Sequence, residues 1–486
     1  MRNTLDRIII AVFAAILLAP ALVFLIGGPT AGYEGGRATQ LPSLGSIISP
    51  KPDRREVFAE ALFERSWFRR EAVRFKNALF LNWFGSVETE KVVSGAPSWL
   101  FLKEQFERFD CANHDKLRDE LRRFIIMAEF AEANAAPVIF VVAPNKASVE
   151  RSAVAGRAAR FRECYYLFAD EWRSIVRASG VQNVVDHADV LSDSAGGVKT
   201  YMNTDTHWTF VGGVTAFAQL QTQHPVALPQ QPEVKRESPG PIATDLRNRM
   251  LGLPGREMER QVHFGPRPEG ADASRTLIVH DSFYGRIRRY FDDVAPNAHF
   301  INLNKDKFQD SDLRDIDVLV LESVERAFLN RAIRAYGFGW GSSAGTFLFR
   351  HAQETAEYSC DWKSARNVLA SVSAADSRRA EVRDAAVRTT ARDPQVFLAP
   401  LSTLGGPCVS IDIELPAPGA LQLFISTEDA PERRFTEGAS IIRRLPAGRH
   451  TVRFIMPPSA RDRALRFDPG PGPGARVAAF DLAPLN

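Results

Sequence analysis

Apolar runs of strand length alternate with amphipathic helices through the first two-thirds of this chain, and that alternation limits its fold more than any other feature. The runs are "VIFVVAP" from Val138, "VQNVVD" from Val181, "TLIVH" at 276–280, "AHFINL" from Ala298 and "DVLVLES" at 317–323. Between them, Leu117, Leu121, Phe124, Ile125 and Ala128 recur at helical spacing in "KLRDELRRFIIMAEFAEANAA", a helix that Pro137 stops. A second helix covers "YYLFADEWRSIVRASG" and closes on Gly180, and a third, "TFVGGVTAFAQL", follows Thr209. Apolar strands separated by helices predict an α/β unit whose parallel sheet is covered on both faces. Residues 225–275 interrupt the pattern with Pro and Gly and are expected to form a loop near the site.

After "GFGWGSSAG" (337–345) the pattern changes. "CVSIDIELP" places Val409, Ile411, Ile413 and Leu415 on one face and Ser410, Asp412 and Glu414 on the other. "LQLFIS", "HTVRFIM", "ALRFDPG" and "RVAAFDL" follow, divided by Pro/Gly turns, which predicts an all-β sandwich or jelly roll over 346–486. The 486 residues suffice for two or three cores. A net charge of +3, from 61 basic and 58 acidic residues mixed along the chain, offers no basic stripe for nucleic acid.

The N-terminus bears on compartment. Arg2 and Arg7 precede a charge-free run from Ile8 to Ile26, long enough to cross a bilayer. With the basic flank first, residues 1–30 are expected to be a signal anchor whose N-terminus stays cytoplasmic. A cleaved signal peptide is the competing reading. Either one puts the rest of the chain outside the cytoplasm, on the periplasmic side of an inner membrane. Residues 31–91 read as a linker followed by an amphipathic segment that docks on the next domain or lies on the membrane, and 92–345 as the catalytic domain. Cys111, Cys164, Cys360 and Cys408 fit an oxidising compartment. Two fall in each half of the chain, so Cys111–Cys164 and Cys360–Cys408 is the simplest of three pairings.

Two short stretches carry chemistry. In "TLIVHDSFYGRIRRYF" a strand ends at His280, and Asp281 and Ser282 occupy the turn before a helix expected to begin near Tyr284. A serine at such a strand end, beside the free N–H groups of a helix N-terminus, suits a nucleophile and the oxyanion that it forms. The plainer alternative is that Asp281 or Ser282 caps the helix. In "MNTDTHWTFVGG" Asp205 and His207 stand one residue apart before a helix. A serine needs a base, and the base needs an acid to fix its tautomer. His207 is the candidate base and Asp205 its orienting acid. His280 is a rival base, though the end of an apolar strand suits local packing better. A metal reading of Asp205 and His207 lacks a further ligand at a suggestive spacing, so no metal or cofactor is expected.

"MNTDTHWT" followed by "LIVHDSF" resembles the alginate O-acetyltransferase family of SGNH-hydrolase-like proteins, whose Asp-x-His-Trp motif precedes the nucleophilic serine. "KVVSGAPSWLF" (91–101) is similar to that family's Gly-x-x-Gly-Trp-Leu-Phe segment, with Ser98 in place of a glycine. "VVAPNKASVE" resembles its Pro-x-Lys loop, and "ATDLRNRMLGLP" its Gly-Asp-Leu segment, with Thr244 in place of glycine. The resemblance spans roughly residues 55–345. It implies an SGNH-like α/β fold, a triad of Ser282, His207 and Asp205, and an extracytoplasmic polysaccharide as acceptor. It also implies a multi-spanning membrane acyltransferase that delivers the acetyl group.

The resemblance leaves the oxyanion hole open, because "DVLVLESVER" has no asparagine where SGNH enzymes supply one. The backbone N–H of Ser282 is the first donor, with Arg326, Tyr284, Asn145 and Lys146 as candidates for oxyanion or substrate. An ion pair with Glu322 is the plain alternative for Arg326. The β unit is similar to carbohydrate-binding modules, on which Trp362, Arg433 and Arg434 are possible glycan contacts; a purely structural unit is the other reading. The chain is thus expected to be an O-acetyltransferase working through an acetyl-Ser282 ester. A polysaccharide O-acetyl esterase and a non-catalytic glycan-binding component of an export complex are the alternatives.

Overall fold

The computed structural model describes residues 13–14, 67–192, 199–224, 234–264, 275–288, 290, 298–306, 308–334, 343–372, 376–427, 435, 439–470 and 472–486. The apolar run Ile8–Ile26, apart from Phe13 and Ala14, lies outside the described residues, as do most of the linker and Arg433 and Arg434. Among the described residues no helix is long and apolar enough to cross a membrane.

Helix α1 (Trp67–Phe84) leads into a small antiparallel pair, β1 (Val92–Ser94) and β2 (Leu100–Leu102). Asn77 of α1 is buried and donates to the Leu251 carbonyl, so the amphipathic segment does dock on the domain. The α/β unit comes next as α2 (His114–Ala133), β3 (Val138–Ala143), α3 (Arg162–Ser179), β4 (Val184–Asp186) and α4 (Phe210–Gln223). Then come a hairpin, β5 (Val234–Ile242) with β6 (Glu257–Phe264), and the strands β7 (Thr276–His280), β8 (His299–Asn302) and β9 (Val318–Val324). The main sheet is parallel throughout, in the order β4-β3-β9-β7-β8. Every residue of β3, β7 and β9 is buried, so β3 is apolar throughout, while β7 and β9 are apolar except for Thr276 and His280 in the one and Glu322 and Ser323 in the other.

The helix boundaries reflect local chemistry. Gly180 ends α3 at φ 75°, a conformation only glycine takes without strain. Thr209 caps α4 by accepting the Gly212 N–H, and a Cβ on Gly212 would lie 2.4 Å from the Thr200 carbonyl. The expected loop over 225–275 is corrected by the structure: strands β5 and β6 pair there, and Asp245–Met250 makes one π-helical turn between them. Pro and Gly in β5 masked an extended edge that polar pairing supports.

Helix α5 (Glu325–Arg334) covers β9, and α6 (Ser343–Ser359) leads into the β unit. That unit stacks two antiparallel sheets, one centred on Cys408–Leu415, Gly448–Ile455 and Arg476–Ala483, the other on Gly419–Ile425 and Leu465–Pro469. Val409, Ile411, Ile413 and Leu415 are buried in the core, and Phe467 and Phe480 meet edge to face at 5.3 Å. The unit seats against the end of α2 that leads into β3. There buried Asn134 donates to the Ile455 carbonyl at 2.8 Å and accepts its N–H at 2.7 Å, as a neighbouring strand would. Both expected disulfides are present: Cys111–Cys164 joins the entrances to α2 and α3, and Cys360–Cys408 ties the end of α6 to the β unit.

Candidate active site

The site stands where the parallel sheet predicts it, above the carboxyl ends of the strands. β7 stops at His280, and Asp281 begins the short helical turn Ser282–Arg286 by accepting the Phe283 N–H at 2.8 Å. The turn therefore starts at Ser282, two residues before Tyr284, and the cap is Asp281. That frees Ser282. Its Oγ lies 2.9 Å from His207 Nε2, and His207 Nδ1 lies 2.8 Å from Asp205 Oδ1. The serine, imidazole and carboxylate thus form one continuous chain from two segments 75 residues apart.

Several contacts pin this chain. Asp205 Oδ1 also accepts the His207 backbone N–H at 2.9 Å, and Oδ2 accepts the Asp245 N–H at 2.9 Å. Burial works to raise the Asp205 pKa, but the bond and charge of His207 outweigh it and hold the carboxyl well below the usual range. Trp208, fully buried, donates its indole N–H to the Phe283 carbonyl at 3.0 Å, so the residue after the imidazole grips the residue after the serine. Phe283 packs on the His207 ring at 5.0 Å. Beneath the serine, Asp281 accepts the Val324 N–H at 2.9 Å and pairs with Arg331 at 2.6 Å, while its own N–H donates to Glu322 at 2.9 Å. Burial, then the charge of Asp281, pushes the Glu322 carboxyl well above the ordinary value.

The remaining candidates divide between the core and the cavity wall. His280 is buried and its Nδ1 bonds the Asp281 carbonyl at 2.7 Å, so it packs locally and does not face Ser282. The Tyr284 hydroxyl does not reach the site: it lies in the core, 3.0 Å from His187 Nε2. Lys146 is corrected as well, for it lies below the loop with its ammonium on the carbonyls of Met202, Asn203 and Asp205. Arg326 does reach the cavity. It lies 3.3 Å from Asn145 Oδ1 and 3.6 Å from Glu104, and the expected pair with Glu322 does not form because that carboxyl is buried in β9. Asn145 is itself buried, its backbone N–H on Glu325. Trp362 bonds the Ala356 carbonyl.

A cavity of about 610 Å³ opens over Ser282 and His207, with Leu102, Asp245, Arg249 and Arg326 on its walls. No described residue after 345 lines it. Asp245 is not among the candidate site residues read from the sequence, although it stands at the aspartate of the segment similar to Gly-Asp-Leu. Its Oδ2 lies 3.8 Å from His207 Nδ1 and its Oδ1 accepts the Thr206 N–H at 2.7 Å. Burial, then the charge of Asp205, raises its pKa. With Asp205 and His207 it brings three ligand-type atoms within 4.8 Å, supplying the further ligand that a metal reading lacked. Of those groups, His207 Nδ1 and Asp205 Oδ1 already bond each other and the Asp245 carboxylate accepts the Thr206 hydroxyl, which is the pattern of an oriented base. Glu257 and Glu259, on one face of β6, hold the same loop through the amides of Asn203, Thr204 and Phe210. Their alternation in "EMER" is a strand signal, hidden by reading this region as a loop.

Residues 92–298 match the family model described as "SGNH hydrolase-like domain, acetyltransferase AlgX". Among solved structures, the O-acetyltransferase domain of Pseudomonas putida AlgJ is 20% identical, covering 49% of this chain and 92% of its own, with a TM-score of 0.36. Pseudomonas aeruginosa AlgX is 15% identical, covering 81% and 94%, with a TM-score of 0.36. Bacillus cereus PatB1 is 11% identical, covering 50% and 97%, with a TM-score of 0.29. No curated protein sequence matches the chain. Over residues 92–298, then, this chain is similar to the SGNH hydrolase-like domain of AlgX-type acetyltransferases.

Proposed function

We propose that this protein is an O-acetyltransferase that acetylates hydroxyl groups of an exported or cell-surface polysaccharide. The observation that carries the reading is the chain Ser282 Oγ–His207 Nε2, His207 Nδ1–Asp205 at 2.9 and 2.8 Å. Ser282 Oγ attacks the carbonyl carbon of an acetyl donor as His207 takes its proton. The tetrahedral oxyanion forms against the Ser282 backbone N–H at the start of the helical turn, with Arg326 on the wall of the same cavity. The donor's leaving group departs with the proton from His207, leaving an acetyl-Ser282 ester. A sugar hydroxyl gives its proton to His207 and attacks that ester, and Ser282 is restored.

Two intramolecular disulfides support work outside the cytoplasm, where an uncharged N-terminal run would anchor the chain to the inner membrane. A multi-spanning acyltransferase would then hand over the acetyl group. The β unit, whose outer sheet face carries a cavity of about 450 Å³ lined by Asp412, Arg449 and Arg476, would hold the polymer.

The test incubates the purified chain with an activated acetyl ester, with and without an oligosaccharide acceptor. Acetylated oligosaccharide, absent with Ser282→Ala, is the expected product. Acetate alone, at a rate indifferent to oligosaccharide, would make the protein an esterase. Unchanged polysaccharide acetylation in cells carrying Ser282→Ala would make it a binding component.

A further inference from the structure

Lys146 is 2% exposed, yet it faces neither the cavity nor water. Its Nζ lies 3.1 Å from the Met202 carbonyl, 3.0 Å from that of Asn203 and 2.6 Å from that of Asp205. An ammonium has three N–H donors, and here all three have an acceptor in one loop. The charge also lies over the rings of Phe101 at 5.1 Å and Trp99 at 5.7 Å. The opposite polarity of the same loop is held by anions. Glu257 accepts the amides of Asn203 at 3.0 Å and Thr204 at 2.5 Å, and Asp245 accepts that of Thr206 at 2.7 Å. The backbone that carries Asp205 and His207 is therefore clamped between a buried cation and two carboxylates. Without the cation, three buried carbonyls converge on no donor, which the loop can relieve only by moving.

We propose that Lys146 is a positioning residue: as an ammonium it gathers the carbonyls of residues 202, 203 and 205 and so sets where Asp205 and His207 stand relative to Ser282. The proposal rests on reading Asp205, His207 and Ser282 as the triad. It requires the charged form, because a neutral amine has two N–H groups and serves at most two of the carbonyls.

The groups facing Lys146 make that form titratable in a useful range. Burial lowers its pKa to about 8, against the opposing pull of Asp245, Asp205 and Glu257, with Lys199 pushing the same way as burial and Glu150 also near. Turnover then declines as pH rises through about 8. Stability moves the other way. The unfolded lysine keeps its proton to about 10.4. Between those values the folded state binds fewer protons than the unfolded one, so this group makes folding more favourable as pH rises. Alkaline loss of turnover without loss of fold is the signature that a merely structural lysine does not give.

The experiment compares the full chain with Lys146→Met and Lys146→Arg, using p-nitrophenyl acetate turnover from pH 6 to 10 and the downfield proton resonance of the His207 Nδ1–H···Asp205 bond. Lys146→Met is expected to lower kcat roughly 100-fold, the scale of a small displacement of catalytic groups, with KM little changed. Its downfield resonance should be lost. In the unaltered protein that resonance should weaken as pH passes about 8, and in Lys146→Arg the alkaline limb should move beyond the range tested, since a guanidinium keeps its proton. Should Lys146→Met fail to fold, the arginine variant and the unaltered protein still decide.

Three results would each overturn the proposal. The first is wild-type kcat in Lys146→Met, and the second is an effect confined to KM, which would make Lys146 a substrate contact. The third is an alkaline limb shared by Lys146→Arg and the unaltered protein. Failure of the triad reading is separately visible as undiminished turnover in Ser282→Ala; the resonance then tests Lys146 alone.

Discussion

Replacing Asp205 with asparagine removes a charge and one acceptor while keeping the shape, and the hydrogen bonds around that carboxylate predict a severe loss of turnover. The carboxylate accepts at both ends: Oδ1 from the His207 N–H at 2.9 Å and Nδ1 at 2.8 Å, Oδ2 from the Asp245 N–H at 2.9 Å. An amide can accept at one end only. With its oxygen toward His207, its NH₂ meets the Asp245 N–H, two donors face to face. Turned over, the NH₂ meets the His207 N–H and also donates to Nδ1. The ring proton then sits on Nε2, pointing at Ser282, and His207 cannot take the serine proton. Either orientation leaves one buried amide without an acceptor, worth about 1–3 kcal/mol of stability.

Both orientations also lose the charge that stabilises the imidazolium. In serine triads the same exchange lowers kcat by roughly 10⁴-fold, about 5 kcal/mol of transition-state stabilisation. The assay is stopped-flow p-nitrophenyl acetate turnover at pH 7, with thermal unfolding to show that the variant folds. Because the Asp205 carboxyl is held below its unfolded value, its stabilisation is full above about pH 4 and fades as pH falls through the folded value. Asp205→Asn should therefore flatten the acid side of the stability curve. A kcat within tenfold of wild type would refute the assignment of Asp205 as the orienting acid.

Burial lowers the His187 pKa to about 4, so protons favour the unfolded chain between that value and about 6.5. Stability should fall by about 2 kcal/mol from pH 7 to pH 5, and His187→Gln should reduce that slope in pH-dependent melts. Trp208→Phe leaves the Phe283 carbonyl without its donor and is expected to cost about 1–3 kcal/mol in denaturant unfolding. It should also slow turnover, since it unlinks the two triad segments. Opening the Cys111–Cys164 link, whose ends are 53 positions apart, should cost about 4 kcal/mol on the chain-entropy view. A paired Cys→Ser variant melting like the wild type would contradict this.

The parallel sheet was legible because β3, β7 and β9 are buried on both faces and so read as mainly apolar runs, with polar residues only at the ends of β7 and near the end of β9. The union of Asp205, His207 and Ser282 was legible in residue type and in the resemblance of two short motifs. The residues that hold those three in place were not. Asp245 sits in a turn whose Pro/Gly surroundings carry no periodic signal, and its role arises from a contact across 40 positions. Tyr284 stands one residue beyond Phe283, close enough in sequence to serve the site, yet the turn's rotation sends its hydroxyl to His187 in the core. Arg326 and Glu322 lie four apart, the spacing of a helical ion pair; the chain is extended through Val324, so the close approach that a helix gives that spacing does not arise. Asn134 mimicking a strand against Ile455, 321 residues away, shows how fully the seating of the β unit depends on tertiary contact.

The central claim is that the acetyl group rests on Ser282 between donor and acceptor. Rapid quenching after mixing with p-nitrophenyl acetate, followed by peptide mass spectrometry, tests it directly. The account predicts one acetyl group on the peptide holding Ser282, lost on adding an oligosaccharide acceptor and absent from His207→Ala. An unacetylated Ser282 during active turnover, or an adduct on another residue that survives Ser282→Ala, would contradict it.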